Sequence, residues 1–201
     1  GEPYIHFIDE SNRKLPEPLK KKGLEIKGSN LCAEITLPTN SDRTAVCCLS
    51  SLNLEKFDEW KDSTIVEDLI EMLDNVLTKL IDHAPQPALF KATSSALTER
   101  SLGLGAMGFH SYLQSKSIPW ESAMAVGQNK MMFAYIKQHA LKATKDLCKT
   151  KSEYMYGFGT GRRNSHLLAI APNANSGMII GTSPSIEPIK SNSFIHKTRV
   201  G

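Results

Sequence analysis

A carboxamide, a thiol and a carboxylate alternate near the start of the chain. Asn30, Cys32 and Glu34 occupy every second position. Because successive side chains of an extended segment point to opposite sides, we expect these three groups to share one face. The intervening residues are apolar and can pack inward. This row is the first candidate for chemistry on a polar substrate, and two further thiols follow at Cys47 and Cys48.

A second candidate is a small polar loop near the end of the sequence. A predicted strand, residues 166–171, runs into Pro172-Asn173-Ala174-Asn175-Ser176 and a glycine. Such loops let backbone N–H groups converge on an anion, particularly where a helix begins. The lysine of a P-loop is absent from this run. An anion-binding loop and a plain strand-to-helix connection with Asn and Ser as caps both remain open at this point.

The four cysteines lack the spacing of a zinc site. Cys32, Cys47, Cys48 and Cys148 form no C-x-x-C pair, and neighbouring cysteines rarely bridge each other because disulfide geometry strains so tight a ring. We therefore expect four thiols and no metal. Cys148 falls late in a helical pattern, where a small buried apolar role is expected.

Composition is typical of a folded domain. The chain has 201 residues, of which 40% are hydrophobic and 22% charged, enough for one core with an appended lobe. Its formal charge of +3 demands neither a nucleic-acid nor a membrane partner. We expect neither a membrane-spanning segment nor a secretory leader, and therefore a reducing cytoplasmic setting. Arg162 and Arg163 are expected in solvent, and His6 and His166 as packed or exposed residues rather than ligands.

Hydrophobic periodicity predicts strands near both ends of the chain and helices in the middle. The predicted strands are residues 4–9, 45–52 and 166–171, with a surface loop over 12–28. The predicted helices are residues 64–82, 102–113 and 121–149. Thr64 and Glu67 are expected to cap the first helix. Its apolar stripe is expected to comprise Ile65, Leu69, Leu73, Val76 and Leu80. In the last helix, the expected core residues are Met131, Met132, Tyr135 and Ile136.

The glycines at 103, 105 and 108 match the dinucleotide-binding pattern G-x-G-x-x-G. That fingerprint requires a hydrophobic strand directly before it and an acidic residue at the end of the next strand. Neither is predicted here. The sequence therefore favours these glycines as places where a helix packs closely against a neighbour.

Six blocks occur along the chain in a fixed order. They are Ser29-Asn30-Leu31-Cys32-x-Glu34-Ile35, Ala45-Val46-Cys47 with Leu49-Ser50-x-x-Asn53-Leu54, Arg100-Ser101-Leu102-Gly103-Leu104-Gly105, Arg163-Asn164-Ser165-His166-Leu167, Pro172 to Ser176, and Gly181-Thr182-Ser183-Pro184-Ser185-Ile186-Glu187-Pro188. Together they resemble the catalytic core of class I ribonucleotide reductase large subunits, most closely those of tailed bacteriophages. The resemblance implies an α/β fold, part of a ten-stranded α/β barrel, with a finger loop near residues 28–36 and a phosphate loop near 172–177.

The resemblance also implies roles for individual residues. Cys32 is expected to carry a thiyl radical that removes the 3′ hydrogen of a ribonucleotide. Glu34 is expected to act as the general base, and Asn30 and Ser29 to bind the substrate. Cys47 matches one of two cysteines that supply reducing equivalents and close into a disulfide. The substrate phosphates are expected at Pro172, Asn173, Ala174, Asn175 and Ser176.

The second reducing cysteine has no counterpart in this chain. No cysteine precedes Cys32, and Cys48 is a poor substitute for it because adjacent residues of a strand point apart. Cys48 is expected to be a packing residue. Large subunits of this family are several times longer, so residues 1–201 are expected to be a partial barrel domain without the N-terminal allosteric region, the first barrel strands or the C-terminal tail. Alone, such a piece is expected to expose strand edges and be unstable or sticky.

The resemblance implies partners rather than a bound cofactor. We expect a small subunit with a metal that generates the radical, the complementary N-terminal part of the large subunit, a ribonucleoside diphosphate, and thioredoxin or glutaredoxin as reductant. We also expect a dimer of the assembled large subunit in the cytoplasm, of the host if the gene is carried by a phage. Two other hypotheses remain open: a non-catalytic remnant or binding module of the same fold, and a thiol-redox protein that uses Cys47 and Cys48.

Overall fold

The computed structural model describes residues 4–193 and 195, and its centre is a small parallel sheet. Strands β1 (Cys48–Asn53) and β2 (Leu102–Met107) pair in parallel, with Cys48 opposite Leu102. The segment after His166 adds a short third strand through a parallel bridge between Leu104 and Leu168. β2 is therefore central, and all six of its residues are buried. Among the described residues, β1 pairs only with β2.

Helices surround this sheet and connect its strands. The chain runs through α1 (Ile8–Lys14), α2 (Glu17–Lys21), β1, α3 (Phe57–Trp60), α4 (Ile65–His83), α5 (Phe90–Glu99), β2, α6 (Phe109–Ser115), α7 (Ala123–Leu147) and α8 (Ala174–Ile180). Single 3-10 turns cover Leu54–Lys56 and Met155–Gly157. Helix α4 contacts both strands and packs against α7. The parallel crossover from β1 to β2 thus contains three helices, as parallel pairing requires a long connection.

The main core lies between the sheet, α4 and α7. It contains Leu52, Leu104, Ile70, Leu77, Met132 and Ile136, among others. A second, smaller cluster joins α1 and α2 to the segment after α7 and comprises Leu15, Leu19, Ile26 and Tyr154. No described helix is long and apolar enough to cross a membrane.

The first predicted strand, residues 4–9, is wrong. A helix begins at Ile8, with acidic side chains in its first turn and basic ones in its last, as the helix dipole favours. The predicted loop over 12–28 is also partly wrong, because α2 lies within it. Asn12 fixes this region, since its side chain donates to the Ile26 carbonyl and accepts from the Ile26 N–H, both at 2.8 Å.

Helices α4 and α7 confirm two predictions, whereas their details differ. The side chain of Thr64 does not cap α4 and instead donates to Asp68 at 2.8 Å. The fully buried residues of α4 are Val66, Ile70, Leu73, Asp74 and Leu77. Of the predicted stripe, Leu73 is buried, Ile65, Leu69 and Leu80 are partly buried and pack against the main core, and Val76 is wrong because it is 50% exposed. In α7 the expected core role is confirmed for Met132 and Ile136, while Tyr135 is partly buried and Met131 is exposed.

The predicted helix over 102–113 is wrong, because its first half is β2 and only its second half is α6. The predicted strand 45–52 begins later, at Cys48, and within β1 only Leu52 is fully buried. The glycines of β2 do allow close packing, but against strands rather than a helix. A Cβ on Gly103 would lie 2.8 Å from the Cys47 Sγ, and one on Gly105 would overlap the Ala169 carbonyl.

We expect Gly105→Ala to destabilise the fold. The added methyl has to displace backbone, so the free energy of unfolding should fall by about 2–3 kcal/mol. Gly127→Ala is the matched control, because that glycine is exposed on α7 with open space around it; there, alanine should add about 0.5–1 kcal/mol. Urea denaturation followed by circular dichroism measures both changes. Equal effects of the two substitutions would contradict the close approach of β2 and the third strand.

Candidate active site

The loop that carries Cys32 is a turn rather than an extended segment. The Asn30 N–H donates to the Ile35 carbonyl at 3.2 Å, and the Ala33 N–H donates to the Asn30 carbonyl at 3.1 Å. Ala33 adopts a left-handed conformation, with φ of 60°. The expectation that Asn30, Cys32 and Glu34 share one face of an extended segment is therefore wrong, because the segment is not extended. The loop nevertheless presents Cys32, which is exposed, at its tip.

Asn30 has a structural task in this turn. Its side-chain oxygen accepts a hydrogen bond from the Ile35 N–H at 3.0 Å. The side chain therefore closes the turn from inside, and its amide nitrogen is left as the group that can face a ligand. Ser29, next to it, donates its hydroxyl to the Asn30 carbonyl at 3.1 Å.

Glu34 and Cys47 lie close enough to influence each other. One carboxylate oxygen of Glu34 is buried and has no hydrogen-bond partner within the described part of the chain. The pKa of the Cys47 thiol is raised to about 12, first by burial and then by the negative charge that Cys48 and Glu34 can carry. Cys47 is therefore a neutral thiol at physiological pH.

Cys48 and Cys148 are not among the residues proposed for the chemistry. Cys48 packs against the main core, which confirms its expected role, and burial raises its pKa. Cys148 lies at the end of α7 and is partly buried rather than fully buried as expected. No group of three or more His, Cys, Asp or Glu side chains within residues 4–193 and 195 could hold a metal ion.

The polar loop from Pro172 to Ser176 connects the third strand to α8. Asn173 precedes the helix in a left-handed conformation, and its side chain does not cap the helix. Instead, the Ser51 hydroxyl of β1 donates to the Asn173 Oδ1 at 3.0 Å. Pro172, Ala174, Asn175 and Ser176 are exposed. β1 thus follows directly on Cys47 and holds the polar loop four residues later, a connection that the sequence did not indicate.

A buried ion-pair network joins α4 to the residues just before β2 and just before the third strand. Asp74 of α4 is fully buried and accepts hydrogen bonds from Arg100 and Asn164, both at 2.9 Å, and from Arg163 at 3.3 Å. Although burial alone would raise the pKa of Asp74, the charges of Arg100 and Arg163 hold it below its usual value. The expectation that Arg163 is in solvent is therefore wrong.

The neighbouring basic residues are also packed. Arg162 is partly buried and donates to the Ser165 carbonyl at 3.1 Å, so it too differs from the expectation. His166, which was expected to be either packed or exposed, is packed: its Nδ1 lies 2.9 Å from the Ser165 hydroxyl. Its pKa is lowered to about 4 by burial and by the charge of Arg162, so the ring is neutral. His6, as expected, is a packed residue, hydrogen-bonded to Ser11 at 2.7 Å.

Comparison with known proteins shows which family the chain is similar to. The sequence matches the family described as ribonucleotide reductase, barrel domain, over residues 1–160 and 156–201. The chain belongs to this family. The predicted resemblance and the α/β fold are thereby confirmed.

Individual members of the reductase family show how much of such a protein the chain represents. It superimposes on the Actinobacillus ureae class Id ribonucleotide reductase alpha subunit with a TM-score of 0.92 and 43% identity, covering 96% of this chain and 37% of that one. A Frog virus 3 protein provisionally named as a ribonucleoside-diphosphate reductase large subunit is 54% identical, and the large subunit of Invertebrate iridescent virus 3 is 51% identical. Both cover the whole chain.

The chain spans about a third of these relatives, 36% and 32% of the two viral proteins. These two relatives come from a frog virus and an iridescent virus, whereas the sequence was expected to be most similar to large subunits of tailed bacteriophages. Sequence reasoning missed three residues that hold parts of this structure together through side-chain contacts: Ser51, Arg43 and Asp74. Their partners lie 122, 56 and 26 residues away along the chain, a distance at which no local pattern gives a signal.

Proposed function

We propose that this chain is the part of a ribonucleoside-diphosphate reductase large subunit that carries the radical cysteine and the loop for the substrate phosphates. The observation that supports this most is the arrangement around β1. Cys47, which directly precedes β1, is close enough to Glu34 of the Cys32 loop for that charge to affect its pKa, and Ser51 within β1 is hydrogen-bonded to Asn173 of the polar loop. Residues proposed for proton transfer, reduction and phosphate binding are thus associated with β1 and the residue before it.

In the proposed reaction, the Cys32 thiyl radical takes the hydrogen atom from the 3′ carbon and becomes a thiol. Glu34 accepts the proton of the 3′ hydroxyl, which favours loss of the 2′ hydroxyl as water. One of its oxygens is buried and has no hydrogen-bond partner among the described residues, so it is free to accept a hydrogen bond from that hydroxyl. Asn30 and Ser29 hold the sugar hydroxyls, and Cys32 finally returns its hydrogen atom to the 3′ carbon.

Cys47 supplies one of the two thiols that reduce the 2′ carbon. Two thiols become a disulfide and deliver two electrons and two protons, which balances the loss of the 2′ hydroxyl as water. Because its pKa is about 12, Cys47 keeps its proton until the reaction needs it. The second thiol comes from another part of the large subunit, since no cysteine precedes Cys32 in this chain.

The substrate phosphates bind at Pro172-Asn173-Ala174-Asn175-Ser176. Backbone N–H groups at the start of α8 and the exposed Ser176 hydroxyl are the donors that such an anion requires. The other partners are the remaining large-subunit barrel, a small subunit whose metal generates the radical, and thioredoxin or glutaredoxin as reductant. We expect the radical to come from that small subunit rather than from a cofactor on this chain. The assembled large subunit is a dimer that works in the cytoplasm.

A thiol-redox function at Cys47 and Cys48 has less support. Reactive thiols of that class have lowered pKa values, because the thiolate is the attacking species. Burial raises the pKa of both Cys47 and Cys48. The remaining alternative, a non-catalytic remnant or binding module, differs from the proposal in activity alone.

A chimera tests the proposal. The segment of the Actinobacillus ureae alpha subunit that matches this chain is replaced by residues 1–201, and ribonucleoside diphosphate reduction is measured with that subunit's own small subunit and reductant. The unmodified alpha subunit is the control. We expect the chimera to form deoxyribonucleotide. A chimera that folds with the same circular dichroism spectrum but forms none would favour the remnant.

We expect Ser51→Ala in this chimera to weaken substrate binding. Without the Ser51 hydroxyl, Asn173 loses the contact that fixes it beside α8, so KM for the diphosphate should rise about fivefold, the effect of one neutral hydrogen bond. The value of kcat should change less, because the radical loop is untouched. Ser50→Ala on the same strand is the control, and Ser51→Thr should restore KM. A change in kcat with an unaltered KM would contradict the proposed task of Ser51.

A further inference from the structure

A tight turn separates the two residues proposed to act on the sugar. Between Glu34 and Cys47, the Thr39 hydroxyl donates to the Arg43 carbonyl at 2.9 Å, and the Asn40 N–H donates to the same carbonyl at 3.2 Å. Asn40 and Arg43 form an isolated antiparallel bridge. The turn is thus closed around the backbone of Arg43.

The side chain of Arg43 fastens this turn to α5. Its guanidinium forms an ion pair with Glu99 and donates to the Ser95 hydroxyl at 3.0 Å. Arg43 is 8% exposed and Glu99 only 2%. The same turn is also joined to α5 by a hydrogen bond of 3.3 Å from the Thr44 N–H to the Lys91 carbonyl. A buried pair of opposite charges fixes geometry strongly, because either charge alone is costly to bury.

Glu99, the acidic partner in this ion pair, also contacts the start of the third strand, which leads to the polar loop. The second oxygen of Glu99 accepts from the Ser101 hydroxyl at 3.4 Å, and Ser101 lies 3.0 Å from the Ser165 hydroxyl. The Ser165 N–H also donates to the Glu99 carbonyl at 3.1 Å. Glu99 therefore links the turn before Cys47 to the start of the third strand.

We propose that Arg43 is a positioning residue, whose ion pair with Glu99 fixes the turn between Glu34 and Cys47 and so sets how these two side chains approach each other. The role of Arg43 in ribonucleotide reduction rests on the proposed function. Its effect on the shielding of Cys47 does not depend on that function. Arg43 touches neither the polar loop nor Cys32 in the contacts described above. Its loss should therefore affect the chemical step and the shielding of Cys47 rather than substrate binding.

The first test is thiol alkylation of the full chain. Iodoacetamide labelling is followed by mass spectrometry of each cysteine, in the unaltered chain and in Arg43→Met, which keeps the length of the side chain and removes its charge. We expect the labelling rate of Cys47 to rise about tenfold relative to Cys148 in the same molecule, since burial limits the reaction of Cys47. Arg43→Lys should restore most of the protection. Arg13→Met, which removes an exposed arginine paired with Glu10, is the control.

Two results would overturn the proposal. In one, Cys47 labels at an unchanged rate in Arg43→Met. In the other, Cys47, Cys48 and Cys148 all label faster together, which indicates general loosening. Ser95→Ala removes one hydrogen bond and leaves the ion pair, so it provides a milder variant if Arg43→Met does not fold; it should raise the Cys47 rate about threefold.

The second test uses the chimera. Arg43→Met should lower kcat about tenfold to a hundredfold, because small displacements of reacting groups are costly, while KM should stay within about twofold. A rise in KM at constant kcat would contradict the assignment. If the chimera with Arg43 is inactive but Cys47 labelling responds as expected, the positioning stands and the proposed function fails. If the chimera is active and Cys47 does not respond, the reverse holds.

Discussion

Replacing Cys32 by serine in the chimera should abolish ribonucleotide reduction. The O–H bond of serine is much stronger than the S–H bond of cysteine, so a hydroxyl cannot exchange a hydrogen atom with the 3′ carbon at a comparable barrier. We expect the rate to fall at least about a thousandfold, which corresponds to roughly 4 kcal/mol in the barrier. The exposed position of Cys32 at the tip of a turn means that the change should leave the fold intact.

The matched control for Cys32→Ser is Cys148→Ser. Cys148 lies at the end of α7 and is not among the residues proposed for the chemistry, so its replacement should leave the rate within about twofold. Deoxyribonucleotide formation is measured by chromatography, and circular dichroism checks the fold of each variant. If Cys32→Ser retains activity, Cys32 does not carry the radical, whatever the chimera does otherwise.

The helices of this chain were more accessible to prediction than its strands. α4 and α7 are long, and their apolar residues recur with helical spacing over many turns, so their bounds were predicted to within a few residues. β2 has the sequence Leu-Gly-Leu-Gly-Ala-Met, which lacks β-branched residues. Its extended conformation depends on pairing with β1 and with the segment around Leu168, and Gly103 and Gly105 are required by those neighbours rather than by any local preference.

In the candidate site as well, the residue types could be predicted from the local sequence, whereas the contacts that position them are made by residues far apart in the chain. Cys32, Glu34 and Cys47 were named from residue types and order, yet the argument from alternation failed because Asn30 folds back onto the Ile35 N–H. What fixes these residues is distant in sequence: Ser51 holds a loop 122 positions away, and Arg43 pairs with a helix 56 positions away. A single sequence contains no periodicity that reports such contacts. The roles of Ser51 and Arg43 can therefore be recognised only from the three-dimensional structure.

Asp74→Ala should be the most destabilising single change in the helical layer. Asp74 is fully buried, and its carboxylate neutralises Arg100 and Arg163, whose side chains are only 5% and 11% exposed. Removing it leaves two buried guanidinium groups facing each other without a counter-charge. A broken buried pair of this kind costs about 3–5 kcal/mol, a large fraction of the stability of an ordinary domain.

Urea denaturation of the full chain at neutral pH tests this prediction. The control is Glu71→Ala, one turn away on the same helix, because Glu71 is exposed and its nearest cation, Lys151, lies 3.9 Å away; its replacement should change the free energy of unfolding by no more than about 0.5 kcal/mol. Similar losses for the two variants would show that the network around Asp74 contributes no more than a surface pair.

The contribution of Asp74 should also depend on pH in a defined direction. Its pKa in the folded chain lies below its usual value, so the unfolded chain takes up the proton first as the pH falls. The stabilisation is therefore complete above about pH 4, the ordinary pKa of an aspartate, and is lost as the pH falls from there through the lowered pKa. The difference in unfolding free energy between the unaltered chain and Asp74→Ala should be constant from pH 5 to pH 7 and should shrink below about pH 4. A difference that grows on acidification would mean that Asp74 is held protonated, and the buried arginines would then need another counter-charge.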